Sequence, residues 1–141
     1  MFGTYQHSDL RIEVKASTDR IGQCLTHPKK LSEWLRPQQI RYVTLNGSLS
    51  DMGFPSDTLL EGQMFESTLG ANKLGLVKVT HQVEMLADEG IRFLLSGSID
   101  GFHEWQWGDG WVQSRLEGIS LLPLSLGQTA SLTRLRFYLQ Q

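Results

Sequence analysis

The stretch that decides the fold is PLSLGQTASLTRLRFYLQQ, residues 123–141. Four leucines in it fall on one face of a helix: Leu124, Leu132, Leu135 and Leu139. Pro123 suits the first turn, because proline needs no backbone N–H there. The spacing predicts a long amphipathic helix whose leucine face packs on the rest of the domain.

The same segment has a second apolar side, formed by Leu126, Ala130 and Phe137. A helix that is apolar on two sides must meet protein on both, or a ligand or partner on one of them. The second side therefore predicts a further contact, and the sequence leaves open whether loops, a small molecule or another subunit provides it.

Upstream of this helix the apolar period changes to two, which is typical of half-buried strands. Turn pairs such as Asn46-Gly47 and Asp100-Gly101 separate the alternating segments. Six strands are predicted: Gln38–Leu45, Gln63–Leu69, Gly75–Ala87, Ile91–Ser98, Gly101–Trp107 and Trp111–Ile119. Short strands with turn pairs at this spacing indicate an antiparallel meander.

The start of the chain predicts one more strand and two short helices. Ser8–Lys15 alternates apolar and charged residues. Ser17-Thr18-Asp19 offers N-cap residues for a helix over residues 20–25, and Pro28 suits the first turn of a second helix, from about Lys29 to Leu35. Residues 48–57 are polar and predict a loop, or a flap over whatever the domain holds. The chain of 141 residues is expected to form a single domain, 1–141.

Three segments in this order resemble the helix-grip superfamily, which includes START lipid-transfer domains, polyketide cyclases, plant pollen allergens and the chaperone-activator group. The first is LTHPKKLSEW at 25–34, similar to the helix pair of the family, with His27 where aspartate is common. The second is GQMF at 62–65, which opens a strand. The third is GFHEWQW at 101–107, similar to the aromatic strand before the last hairpin.

The resemblance implies an α+β fold in which a curved seven-stranded antiparallel sheet wraps a long C-terminal helix, with two short helices after strand 1. It also implies a space between helix and sheet that holds hydrophobic ligands in many members. The second apolar side of the last helix would then line this space or receive loops.

Inward-facing residues of the central strands are the candidate ligand-binding set: His81, Val83, Met85, Phe93, Leu95, His103, Trp105 and Trp107. His81 lies among valines, so it could orient a ligand carbonyl or act as a general base. The alternative is a histidine bonded to a neighbour or to water. His103 shares a face with two tryptophans, which suits a polar group beside aromatic pocket walls. Its alternative is a position near an edge of an aromatic core.

Composition excludes several classes of function. The net charge is -2 and no basic run occurs, so nucleic acid is not an expected partner. Four scattered histidines and one cysteine offer no metal-ligand spacing, and no cofactor is expected. No apolar run approaches the length of a membrane helix. The single Cys24 favours a reducing compartment, and no signal peptide is visible, so a cytoplasmic protein is predicted.

Three functional readings remain open from the sequence, and no catalytic residue is assigned. The leading one is a binding module for a small hydrophobic or amphipathic molecule. The second is an enzyme of the polyketide cyclase or dehydratase type, as the resemblance permits. The third is a protein-interaction module of the chaperone-activator type, or a homo-oligomer, that docks through the C-terminal helix.

Overall fold

The computed structural model describes residues 3–50, 53–69 and 77–141. Within these ranges the helices are α1 (Thr18–Thr26), α2 (Pro28–Trp34) and α3 (Leu124–Leu139). The strands are β1 (Thr4–Glu13), β2 (Gln39–Val43), β3 (Leu49–Ser50), β4 (Met64–Leu69), β5 (Val77–Ala87), β6 (Gly90–Gly97), β7 (Ile99–Gly108) and β8 (Trp111–Ser120). The predicted α+β class is confirmed. Gly75 and Leu76, the first residues of the predicted long strand, lie outside the described residues.

The strands form one antiparallel sheet in the order β1-β8-β7-β6-β5-β4-β2-β3. Strands β4 to β8 are sequential neighbours, as the predicted meander requires. The described part of the chain has eight strands where the sequence predicts seven. The additional one is β3, which lies in the predicted loop and pairs with β2 across the Asn46-Gly47 turn.

Helix α3 packs over β1 and β8, the edge strand of the sheet and its neighbour. Its predicted leucine face is buried, and Leu135 and Leu139 are almost inaccessible to solvent. Its predicted second face is largely exposed, with Leu126 at 68% and Phe137 at 66%. Because α3 covers the inner face only near this edge, the inner face of the remaining strands must be covered by other elements.

The two short helices cover one end of that inner face. Of the three candidate N-cap residues, Ser17 caps α1: its side chain accepts a hydrogen bond from the backbone N–H of Arg20 at 3.2 Å. Pro28 begins α2, as predicted. Trp34 of α2 packs edge-to-face on Trp105, with ring centroids 6.2 Å apart. Gly22 of α1 lies so close to Trp107 that a Cβ would stand 3.1 Å from its Nε1. This end of the sheet is therefore solid core.

A break in register changes the direction of one predicted inward residue. Val83 pairs with Phe93, but Met85 pairs with Arg92, so β5 has one extra residue at this point. Such a bulge reverses the alternation of side chains beyond it. The inward prediction for Met85 is wrong: its side chain is 46% exposed on the outer face.

Candidate functional site

A cavity of about 570 Å³ lies between the first half of α3 and the inner face of strands β4 to β8. Its sheet wall includes Ser67, Val79, His81, Leu95, His103 and Leu116. Its helix wall includes Leu124, Leu126, Gly127, Gln128 and Ser131. The volume falls within the range of small-molecule sites, about 300–1,000 Å³.

The cavity contains three of the eight predicted ligand-binding residues: His81, Leu95 and His103. Four others are buried but belong to the solid end of the core: Val83, Phe93, Trp105 and Trp107. Met85 lies on the outer face. The predicted set therefore divides along the length of the strands, because the short helices fill one end of the sheet and leave the other open.

No Asp, Glu, Lys or Arg occurs among the described residues that line the cavity. A charged ligand would lose its hydration there without meeting an opposite charge, and that loss costs far more than it does for a neutral molecule. The lining is also mainly apolar, with side chains such as Val79, Leu95 and Leu116. These walls suit a neutral molecule with a large apolar part.

His81 stands in an aromatic cluster. Its ring stacks on Phe65 with centroids 4.6 Å apart and meets Phe93 edge-on at 5.6 Å. Its Nδ1 is buried and has no hydrogen-bond partner among the described residues. Burial lowers the pKa of His81 to about 4. The Val79 backbone lies near the ring and favours its protonated form, which opposes this shift only in part, but it does not meet hydrogen-bond geometry at Nδ1. The imidazole is therefore neutral at pH 7.

His103 is tied to α3 by a chain of hydrogen bonds. Its Nε2 lies 2.6 Å from Ser114 Oγ, and Gln128 Nε2 donates to the same oxygen at 3.0 Å. Ser8 Oγ donates to Gln128 Oε1 at 2.5 Å, so the network reaches β1. Burial lowers the pKa of His103 to about 3, with a further contribution from His81. The His103 ring also lies over Trp105, with centroids 4.5 Å apart.

Comparison with known proteins identifies the architecture. No family model and no curated protein matches the chain. Solved structures do match over almost its whole length. StfQ, a di-domain ARO/CYC protein from the steffimycin biosynthetic pathway, is 11% identical and has a TM-score of 0.64; the match covers 96% of this chain and 51% of StfQ. The chain thus spans about half the length of StfQ.

Two further structures match over nearly all of both chains. Norcoclaurine synthase from Thalictrum flavum, a point mutant in complex with a transition-state analogue, is 11% identical with a TM-score of 0.63, over 99% of this chain and 97% of the synthase. The Aha1 dimer protein from Colwellia psychrerythraea is 16% identical with a TM-score of 0.59, over 95% of this chain and 96% of Aha1. The chain has the helix-grip fold. The fold implied by the sequence resemblance is thereby confirmed.

Two buried polar residues at this helix-grip cavity were not predicted from the sequence: Gln128, which lines the cavity, and Ser114, which is hydrogen-bonded to His103. Gln128 is 2% exposed and occupies the leucine face of α3, four residues after Leu124 and four before Leu132. Ser114, which is fully buried, occupies an inward position of β8, two residues before Leu116. Both residues occupy polar positions within an otherwise apolar stripe. Because a buried amide or hydroxyl requires hydrogen-bond partners, this pattern could have predicted a buried polar network.

Strongly exposed leucines belong to the lining of the cavity. Leu121 is 72% exposed and Leu126 is 68% exposed, and both belong to the lining. Residues 48–57, which the sequence allows as a flap, contribute no described residue to the lining. Phe54 of this segment instead packs near Phe65, with centroids 6.1 Å apart.

None of the described helices combines the length and hydropathy needed to cross a membrane.

Proposed function

We propose that this helix-grip protein binds a small, neutral, hydrophobic or amphipathic molecule in the cavity between sheet and α3. The observation that carries the proposal is the open cavity of about 570 Å³, whose described lining is largely apolar and has no charged side chain. Filling such a space removes apolar surface from water on both ligand and protein, which favours binding by about 25 cal/mol per Å² before the costs of association.

A direct test is to incubate the pure protein with a lipid extract, re-isolate it and analyse bound molecules by mass spectrometry. A cavity-filling variant, Ser67→Phe, supplies the specificity control, since Ser67 lines the cavity and is 6% exposed. Thr68→Phe is the matched variant on the other face of the same strand. We expect Ser67→Phe to lose the bound species and Thr68→Phe to keep it. Equal recovery from both variants would place the ligand elsewhere.

Acid–base catalysis on a bound carbonyl compound is a second candidate, because His81 and His103 line the same cavity. Catalytic bases work best when their pKa is near the operating pH. The pKa values of about 4 and about 3 leave both imidazoles as weak bases. The site therefore favours binding over proton abstraction. Any turnover found should be compared in His81→Ala and His103→Ala, and full retention in both would exclude these histidines as catalysts.

A protein contact through α3 is a third candidate, supported by the exposure of Leu126 and Phe137. The matching Aha1 protein from Colwellia psychrerythraea is a dimer. An interaction module is expected to have a filled interior, so the open cavity favours the ligand-binding proposal instead. Light scattering of the wild type and of Phe137→Glu tests self-association, which the substitution should abolish if this face is the interface.

We propose a cytoplasmic location because the sequence has a single cysteine, which cannot form an internal disulfide. Cys24 is buried at 2% exposure, and burial raises the pKa of its thiol. Both properties suppress the reactive thiolate. We therefore interpret Cys24 as a packing residue, in a protein that needs no disulfide.

A further inference from the structure

The orientation of the Gln128 amide is determined by its neighbours. Its Nε2 lies 2.8 Å from the carbonyl oxygen of Ser114 and 3.2 Å from that of Ser8. Carbonyl oxygens only accept hydrogen bonds. A reversed amide would bring Oε1 against these two acceptors, so the amide must direct its N–H groups toward them. Its Oε1 then accepts from Ser8 Oγ at 2.5 Å.

The Gln128 amide in turn orients the hydroxyl of Ser114. The two N–H groups of Gln128 face three acceptors: the carbonyl oxygens of Ser8 and Ser114 and, at 3.0 Å, Ser114 Oγ, so one N–H is shared between the two oxygens of Ser114. The amide nitrogen accepts no hydrogen bond, so the Ser114 hydroxyl proton needs another acceptor. Ser114 is 0% exposed, so water does not offer one. Among the described residues the acceptor in reach is Nε2 of His103, at 2.6 Å. The hydroxyl therefore donates to His103.

This bond selects one neutral form of His103. An imidazole whose Nε2 accepts a hydrogen bond has its proton on Nδ1. Nδ1 makes no hydrogen bond to any described residue, yet it is not among the fully buried nitrogens that lack a partner, so it keeps accessible surface. His103 lines the cavity, which is the space that Nδ1 can face. The depressed pKa of His103 agrees with a neutral ring. The network thus runs in one direction, from Ser8 through Gln128 and Ser114, and ends at an N–H group available to a ligand.

We propose that His103 Nδ1–H is the polar subsite of the cavity, and that it selects neutral apolar molecules with an acceptor oxygen such as a ketone. Gln128 and Ser114 are positioning residues that place this proton. The inference rests on the proposed binding function and deepens it by naming a ligand class. A hydrocarbon of the same shape would leave the N–H group without a partner, so it should bind more weakly.

The test compares two rigid probes, 9-fluorenone and fluorene, which differ in a ketone against a methylene group. Affinities for the purified protein are measured by titration calorimetry. We expect fluorenone to bind about tenfold more tightly, the effect of one neutral hydrogen bond of about 1.4 kcal/mol. The position of the proton is read separately by ¹⁵N NMR of the His103 ring, which distinguishes the two neutral forms without any ligand.

Variants separate positioning from folding. Ser114→Ala removes the donor to Nε2, so both neutral forms of His103 should be populated and the preference for the ketone should fall below threefold. Gln128→Leu should have the same effect on the NMR signature. The matched control is Ser96→Ala, an exposed serine on β6, which should change neither the preference nor the ring signals.

The outcomes separate this inference from the function on which it rests. Equal affinity for both probes would preserve a binding cavity and overturn the polar subsite. A wild-type ring protonated on Nε2 would overturn the subsite regardless of affinities. If neither probe binds and no species is recovered from the extract, the binding function fails and the subsite with it. A ketone preference that Ser114→Ala abolishes, together with an Nδ1-protonated ring, supports the inference.

Discussion

Gln128 on α3 donates a hydrogen bond of 2.8 Å to the carbonyl oxygen of Ser114 on β8. The bond joins the closing helix to the sheet at the polar position of an otherwise leucine-lined stripe. It also lies directly beside the cavity, since Gln128 contributes to the lining. One amide thus has two functions, because it fixes α3 against the sheet and orients the hydroxyl that holds His103.

Replacing the amide of Gln128 with an apolar group should destabilise the folded protein. We expect Gln128→Leu to lower the free energy of unfolding by about 2–3 kcal/mol, because buried groups on Ser8 and Ser114 lose their partner. Urea denaturation monitored by tryptophan fluorescence measures the change. Thr129→Leu, the exposed next residue of α3, makes a similar polar-to-apolar change and should shift stability by less than about 0.5 kcal/mol. If Gln128→Leu also lost less than about 0.5 kcal/mol, the hydrogen bonds of Gln128 to Ser8 and Ser114 would have no structural role.

Removing the unpaired nitrogen of His81 should stabilise the protein. We expect His81→Phe to raise the free energy of unfolding by about 1 kcal/mol at pH 7, since it removes a buried polar atom without a partner. The new ring can retain the stack on Phe65, and the adjoining cavity leaves room for it. His7→Phe, at an exposed position of β1, is the control and should have little effect. A destabilised His81→Phe protein would show that Nδ1 has a partner in solution.

Stability should fall as the pH is lowered below 6.5. The pKa of His81 is lowered to about 4 and that of His103 to about 3, so the unfolded chain binds these protons more readily than the folded one. The stability that the two neutral histidines contribute is fully present above pH 6.5. It is lost as the pH falls from 6.5 toward 4 for His81 and toward 3 for His103. The slope should reach at most about 1.4 kcal/mol per pH unit for each histidine.

Denaturation between pH 7.5 and 5.5 isolates the two histidines. A hydrogen bond from Tyr5 lowers the pKa of Glu117, and hydrogen bonds from Thr18 lower that of Asp109. The stability that these two carboxylates contribute is therefore lost only at lower pH. His81→Phe should show about half the wild-type slope in this range. Stability that is constant from pH 7.5 to 5.5 would mean that the cavity imidazoles are well hydrated.

Two helical glycines should respond oppositely to alanine. A Cβ at Gly127 meets nothing within 4 Å, so Gly127→Ala should gain up to about 1 kcal/mol from helix propensity alone. A Cβ at Gly22 would stand 3.1 Å from Nε1 of Trp107, a ring that is 2% exposed and cannot move aside. We expect Gly22→Ala to lose about 1 kcal/mol despite its better propensity. Equal gains in thermal stability would contradict the close approach of α1 to Trp107.

The strands and helices followed closely from the sequence because their signals are local. The leucine spacing of α3 and the alternation in Ser8–Lys15 arise from neighbours within a few residues. The short strand β3 was missed, since two paired residues have no detectable period. Met85 was assigned to the wrong face, because an alternation carried across a bulge cannot reveal the extra residue.

The candidate site was predicted only in part for a different reason. His81, Leu95 and His103 line the cavity, while Trp105 and Trp107, on the same inner face, belong to solid core. Inward direction depends on the strand itself, but open space depends on what packs opposite. The sequence alone therefore determined the α+β elements and the inner face of the sheet. Only the tertiary structure decided that α1 and α2 fill one end, that the other end stays open, and that Gln128 joins Ser114 beside His103, because these contacts join segments distant in the chain.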